Sequence, residues 1–195
     1  MARRAIVAAN WKMNGDLTLV DSMVSGLSGI ELKDNVNVVI CPSSPYLSAF
    51  VVKAKVGKLD AAISIGAQNV SEHESGAYTG EISTQMLREL SVEFAIIGHS
   101  ERRNYYRETS TQIAHKVSAA LNAGLTPILC IGESEAERAT EQTETVLASQ
   151  LQPVIDEIGI EIFIDVEIFP DPIIGSPEGV VGSFVFTIGA FSPIL

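Results

Sequence analysis

Basic residues are scarce in this sequence and missing from its last part. No Lys, Arg or His follows Arg138 in a chain of 195 residues. The 13 Lys and Arg residues are outnumbered by 24 Asp and Glu residues, which gives a net charge of −11. Nucleic acids and anionic membranes attract clusters of positive charge. We therefore expect neither as a partner, and a small anionic ligand would have to be held by a few local donors.

Cysteine, histidine and long apolar runs are also few. The two cysteines, Cys41 and Cys130, each close a strand-like apolar run, which favours buried thiols over a disulfide framework. The three histidines are scattered and no spacing resembles a zinc motif, so we predict no metal centre. No apolar run is long enough to span a bilayer, and the one after Arg4 is too short for a signal peptide. We expect a cytoplasmic protein.

The chain does show a regular alternation of apolar strands and amphipathic helices. Apolar runs predict strands at 5–10, 36–41, 61–66, 92–97 and 126–131. Helical periodicity predicts helices near 16–29, 44–55, 82–90, 108–123 and 138–157. This order is typical of βαβ units around a parallel sheet, so we predict an α/β fold. Periodicity alone does not separate a barrel from a doubly wound sheet.

The predicted helix over 108–123 has one apolar stripe. The stripe consists of Ile113, Val117, Ala120 and Leu121. The pattern turns Glu108, Gln112 and Lys116 to solvent and leaves His115 at the surface or rim.

The regular pattern is lost beyond residue 155. Segment 160–169 alternates weakly and predicts one strand, and prolines and glycines then interrupt the chain before an apolar run at 180–191. A single strand pair fits this segment, whereas further βα units do not. We predict a regular region at 1–155 and a divergent, strand-like tail at 156–195.

A Gly-His pair ends the fourth predicted strand. In the segment Ala95–Arg103 an apolar run stops at Gly98, and His99 stands at the start of a polar, helix-prone stretch. The positive end of a helix dipole disfavours an imidazolium, so such a histidine tends to stay neutral and to donate a hydrogen bond. A lone Gly-His pair is more often a structural strand cap than a catalytic group.

Three further segments accompany it. They are Ala8-Ala9-Asn10-Trp11-Lys12-Met13-Asn14-Gly15, Gly76-Ala77-Tyr78-Thr79-Gly80-Glu81-Ile82-Ser83 and Ile128-Leu129-Cys130-Ile131-Gly132-Glu133. Together with Gly98–Arg103 they resemble the triosephosphate isomerase family, in order and in spacing, over residues 1–155. The resemblance implies an incomplete (β/α)8 barrel of about five βα units, followed by the irregular tail.

The resemblance also implies a reaction and a set of residues. The family interconverts dihydroxyacetone phosphate and glyceraldehyde 3-phosphate through an enediolate, a step of glycolysis and gluconeogenesis, without a cofactor. A neutral histidine electrophile and a glutamate base are the established pattern of this family. His99 matches the electrophile, and Asn10 and Lys12 match the substrate-binding pair. Glu101 and Ser100 match supporting positions.

Residues 70–80 match the loop with which the family docks into a partner subunit. The resemblance implies that Tyr78 and Thr79 belong to this dimer loop and that Thr79 reaches toward the active site of the partner. The resemblance thus implies a homodimer, although loss of part of the barrel predicts self-association and marginal stability, with the first and fifth strands left as open edges.

The family's catalytic base has no clear match. The base lies in a Tyr-Glu-Pro-Val-Trp lid segment, but Trp11 is the only tryptophan, and no Gly-Gly phosphate turn occurs. Glu167 is a weak candidate for a substitute. Three hypotheses stay open: a working isomerase with a base in the tail, a non-catalytic binding derivative, and the product of a gene disrupted near codon 155. We expect activity at least about a thousandfold below that of an intact family member.

Overall fold

The computed structural model describes residues 5–32, 36–159, 169–170 and 183–187. Five parallel strands lie side by side in chain order and curl into a half-barrel. The strands are β1 (Ala5–Asn10), β2 (Val36–Cys41), β3 (Ile63–Ala67), β4 (Phe94–Ile97) and β5 (Thr126–Gly132). The predicted α/β fold and incomplete barrel are confirmed, and all five strands overlap their predicted ranges.

Helices follow the strands in alternation. They are α1 (Leu17–Leu27), α2 (Ser44–Val56), α3 (Thr84–Glu89), α4 (Ser100–Tyr105), α5 (Ser110–Asn122), α6 (Glu135–Ala139) and α7 (Thr143–Ile158). Polar residues begin several of them: the side chains of Asp16, Ser83 and Thr109 accept the first free backbone amides of α1, α3 and α5. The single helix predicted at 138–157 is two helices, because Glu141 takes a positive φ of 58° between them.

The apolar residues form two layers. The larger layer fills the space between the outside of the sheet and the helices, and includes Phe50, Leu87 and Leu129. The smaller layer lies inside the curl, because alternate residues of a strand point to opposite faces. It contains Val39, Cys41, Phe94, Ile96, Ile128 and Cys130. Both cysteines are buried and free, as predicted.

The two outer edges of the parallel sheet differ. β7 (Ser183–Thr187) pairs antiparallel along β5, and β6 (Phe169–Pro170) pairs antiparallel with β7. The edge of the fifth strand, which loss of the later βα units would leave open, is therefore occupied by this segment of the tail. Within the described part of the chain β1 pairs with β2 alone, and Val7 is 56% exposed.

The predicted exposure of two charged residues in and before helix α5 is wrong. Ile113, Val117 and Ala120 are buried as expected, and Gln112 is exposed. Lys116, expected at the surface, is only 6% exposed. The side chain of Glu108, also expected in solvent, is 5% exposed and accepts a hydrogen bond from the Lys116 ammonium. The two charges are buried because each neutralises the other, which the helical period does not reveal.

Candidate active site

A cleft of about 390 Å³ opens at the carboxyl ends of the parallel strands. Four of the predicted site residues line it: Asn10, Lys12, His99 and Glu101. Other residues around it come from the loops after β2 and β3 and from α4, namely Ser43, Gln68, Asn69, Glu81, Arg102 and Tyr106. Residues far apart in the chain meet here because parallel strands all end at the same rim of a barrel, where such folds carry their active sites.

The loop after β1 holds Lys12 in one backbone conformation. The Asn10 carboxamide oxygen accepts the Lys12 amide at 2.9 Å, and Lys12 has a positive φ of 53°. The Ser43 hydroxyl lies 2.7 Å from the carbonyl oxygens of Lys12 and Asn14. Trp11 anchors the loop, since its buried ring meets the edge of Phe50. A positive φ in a residue with a side chain is strained, and such strain is found where the surroundings over-determine a functional position.

His99 enters the cleft from the end of β4. Gly98 follows β4 with a φ of +76°, and His99 then takes the position before the first turn of α4. The His99 Nδ1 atom accepts the backbone amide of Glu101 at 3.3 Å. A nitrogen that accepts an N–H bond carries no proton, so this contact favours the tautomer of the neutral imidazole with its proton on Nε2. The geometry therefore provides a neutral hydrogen-bond donor at the cleft.

Lys12 and Glu101 form an ion pair across the cleft. The Lys12 ammonium lies 3.2 Å from Glu101 Oε1, and the two side chains are 44% and 41% exposed. Glu101 Oε2 also lies 3.5 Å from His99 Nδ1. An ion pair this exposed contributes little to stability, since water screens both charges. The Lys12 ammonium is therefore free to exchange its carboxylate partner for an anionic ligand.

Arg103 fixes the backbone behind His99, and sequence reasoning assigned it no role. Its guanidinium donates to the Gly98 carbonyl at 2.8 Å, to the Cys130 carbonyl at 3.0 Å and to the Ser110 hydroxyl at 3.2 Å. Burial lowers the pKa of Arg103 to about 10, against the opposing influence of Cys130 and Glu108. The guanidinium nevertheless remains charged at neutral pH. The only signal in the sequence is the second arginine of Ser100–Arg103.

A buried charge network lies next to the cleft. Glu108 Oε1 accepts from Arg102 Nε at 3.2 Å as well as from Lys116. The Lys116 ammonium also donates to Asn69 Oδ1 at 3.0 Å. The Arg102 guanidinium stacks 5.2 Å from the centre of the Tyr106 ring. Because Asn69, Arg102 and Tyr106 all line the cleft, this network supports one of its walls.

The other predicted residues lie outside the cleft lining. Ser100 is the first residue of α4. Tyr78 and Thr79 belong to an exposed loop, 74–81, in which the Tyr78 ring stacks on His73 at 3.8 Å. Glu72, at the base of this loop, accepts from His115 of α5 at 3.0 Å if Nδ1 carries the proton, and His115 is half exposed, as predicted. Glu167 lies outside the described residues.

The fold and the cleft together define a class of protein. Parallel strands with alternating helices form part of a (β/α)8 barrel, and the cleft at their carboxyl ends combines a cation, a carboxamide and a neutral imidazole. Such a set suits an anionic substrate with a carbonyl group. In the described part of the chain no helix is long and apolar enough to cross a membrane.

Comparisons with known proteins agree with this class. A family model described as Triosephosphate isomerase matches residues 5–178, which extends past residue 155, where the recognised motifs end. The chain is 69% identical over 173 residues to the triosephosphate isomerase of Colwellia psychrerythraea, covering 89% of this chain and 68% of the relative. It is 44% identical to that of Alcanivorax borkumensis over 173 residues, covering 89% and 67%. The chain belongs to the triosephosphate isomerase family, and it spans about two thirds of the length of these relatives.

Proposed function

We propose that the cleft binds a triose phosphate and polarises its carbonyl group, the first part of the isomerase reaction. The observation that carries this proposal is the Glu101 amide bond to His99 Nδ1, because it leaves the proton on Nε2. A neutral imidazole donates to the substrate carbonyl oxygen and to the enediolate oxygen that replaces it. An imidazolium would instead transfer its proton too readily to serve as a lasting donor.

Lys12 and Asn10 complete the binding set. The Lys12 ammonium, released from Glu101, offsets the charge of the phosphate and of the developing enediolate. Asn10 holds the Lys12 amide, so the lysine side chain starts from a defined backbone position. This arrangement allows an acidic protein to bind an anion through one local cation, as expected from the composition.

Proton transfer is the part of the reaction that we propose to be weak. The step takes a proton from the carbon beside the carbonyl and returns it to the neighbouring carbon, which requires a carboxylate base. The sequence offers no Tyr-Glu-Pro-Val-Trp segment to supply the base of the family and no Gly-Gly pair to supply its phosphate turn. Loss of a general base costs about 10²- to 10⁴-fold in rate. Loss of the lid and of the phosphate turn adds to this cost, so we expect turnover at least about a thousandfold below that of an intact relative.

The second part of the proposal is that two copies of the chain form a dimer through the loop 74–81. The loop is exposed along its whole length, while the Ser71 amide bond to the Ile82 carbonyl, at 2.8 Å, closes its base. A pre-ordered, projecting loop suits insertion into a second copy of the chain, because little conformational entropy remains to be lost. Sedimentation velocity tests this: deletion of the loop tip should reduce the fraction of dimer, and an unchanged distribution would contradict it.

The ligand-binding proposal is tested by calorimetric titration with a phosphorylated enediolate analogue. Replacement of the Lys12 ammonium by the Met side chain, Lys12→Met, should weaken binding at least tenfold. Lys58→Met is a matched control, because Lys58 is exposed, has a similar positive φ of 48° and lies outside the cleft lining. Absence of binding by the unmodified chain would remove the ligand-binding role and favour a loop-based partner or a disrupted gene product.

A coupled isomerase assay tests the rate. Turnover close to that of an intact relative would contradict the proposed loss of the base. In that case Glu167→Gln is decisive: loss of activity with the fold retained would identify Glu167 as the base. Reading the coding DNA beyond codon 155 in all three frames addresses the disrupted-gene hypothesis, because a second frame that encodes the lid segment would support it.

A further inference from the structure

We propose that Arg103 is a positioning residue for His99, acting through the carbonyl of Gly98. This inference rests on the proposed role of His99 as the electrophile. It goes further in assigning a second residue, remote from the substrate, that determines where the imidazole points.

The guanidinium lies where the pairing of β4 with β5 stops. The last paired residues are Ile97 and Leu129. One residue further along each strand, the Gly98 and Cys130 carbonyls both face Arg103, which donates to them at 2.8 and 3.0 Å. Both residues are buried. The side chain thus joins the two strand ends at the point where the backbone no longer does.

The guanidinium and the Cys130 carbonyl pack closely against Gly98. A Cβ atom built on Gly98 would lie 3.0 Å from Arg103 Nη2 and 3.1 Å from the Cys130 carbonyl oxygen. The third hydrogen bond, from Nη1 to the Ser110 hydroxyl at 3.2 Å, ties the guanidinium to the first residue of α5. The guanidinium donates these three bonds from three separate nitrogens in one rigid plane, whereas a lysine ammonium donates from a single nitrogen on a flexible stem. Lysine at this position keeps the charge but loses the bridge.

The bridge acts on His99 because of the peptide bond. The Gly98 carbonyl and the His99 amide belong to one planar unit, so fixing the carbonyl fixes the plane from which the His99 side chain departs. At the other end, the Glu101 amide holds Nδ1 at 3.3 Å. Two restraints, one on the backbone and one on the ring, together define a single direction for Nε2. Without the first, the imidazole and the Glu101 amide would separate in part of the population.

The test measures the protonation of the two ring nitrogens of His99 directly. Histidine labelled with ¹⁵N in the full chain gives long-range ¹H–¹⁵N spectra from three rings, and His73→Gln and His115→Gln variants assign them. In the unmodified protein, without ligand, His99 should show one protonated Nε2 and one unprotonated Nδ1. In Arg103→Lys the two nitrogen shifts should move toward each other as the tautomers mix. Arg102→Lys is the matched control, because its guanidinium binds Glu108 and neither strand-end carbonyl.

The outcomes separate this inference from the proposed function. If His99 of the unmodified chain lacks the Nε2–H tautomer, the proposed electrophile is wrong, and the role of Arg103 with it. If that tautomer is present and Arg103→Lys leaves it unchanged, the positioning role alone is overturned. If Arg103→Lys does not fold, Ser110→Ala decides, because it removes one of the three hydrogen bonds that hold the guanidinium against the Gly98 carbonyl. A smaller shift in the same direction supports the inference, and no shift refutes it.

Discussion

Replacing Lys116 with methionine should destabilise this protein far more than its place on a helix suggests. The Lys116 side chain is 7% exposed and that of Glu108 is 5% exposed. Without the ammonium, Glu108 keeps one cation, Arg102, while its Oε2 atom is already buried without a hydrogen-bond partner in the described structure. Removing one partner of a buried ion pair costs about 3–5 kcal/mol, and Arg102, with a side chain 28% exposed, offsets only part of the charge left on Glu108.

Urea unfolding followed by circular dichroism measures this cost. The neighbouring variant His115→Ala is the control, since His115 also faces a carboxylate, Glu72, but is half exposed. An exposed pair contributes about 1 kcal/mol or less. Equal losses in the two variants would refute the reasoning. A second check is Lys116→Met combined with Glu108→Gln, which should cost less than the sum of the two single changes, because no buried charge is then left unpaired.

Two more predictions follow from the residues near the strand ends. Burial, with a smaller effect of Cys130, raises the pKa of Cys41 from 9.0 to about 12. The unfolded chain therefore loses this proton first, and the free energy of unfolding should fall as pH rises from about 9 toward 12, by at most about 4 kcal/mol. Urea unfolding at about pH 8 and about pH 10.5 should show a flatter dependence in Cys41→Ala, and an equal slope would contradict the assignment. Gly98→Ala should cost about 1–3 kcal/mol, because an L residue is strained at a φ of +76° and its methyl group meets the Arg103 guanidinium. The same unfolding assay with Gly26→Ala, where the added Cβ meets nothing within 4 Å, provides the comparison.

The positions of the candidate site residues could be predicted from the sequence where they depend on neighbouring residues in the chain. Gly98 and His99 directly follow an apolar strand, so the motif itself places the imidazole at the strand's carboxyl end. Asn10 is the last residue of another strand and Lys12 follows it, and the structure brings these residues into one cleft. The roles of these residues remain proposals, but their proximity follows from the parallel order of the strands.

The sequence by itself determined the alternation of strands and helices, the helix starts at Asp16 and Thr109, and the family motifs, because each depends on local periodicity or local hydrogen bonds. Only the tertiary structure decided the rest. Lys116 is buried because Glu108 and Asn69 neutralise and bind it from other segments. Arg103 bridges two strand ends whose residues stand 32 positions apart, Gly98 and Cys130. β7 covers the edge of β5 through backbone hydrogen bonds, which any side-chain pattern permits. Contacts between distant segments leave no periodic trace in a single sequence, so they become visible only when the chain is folded.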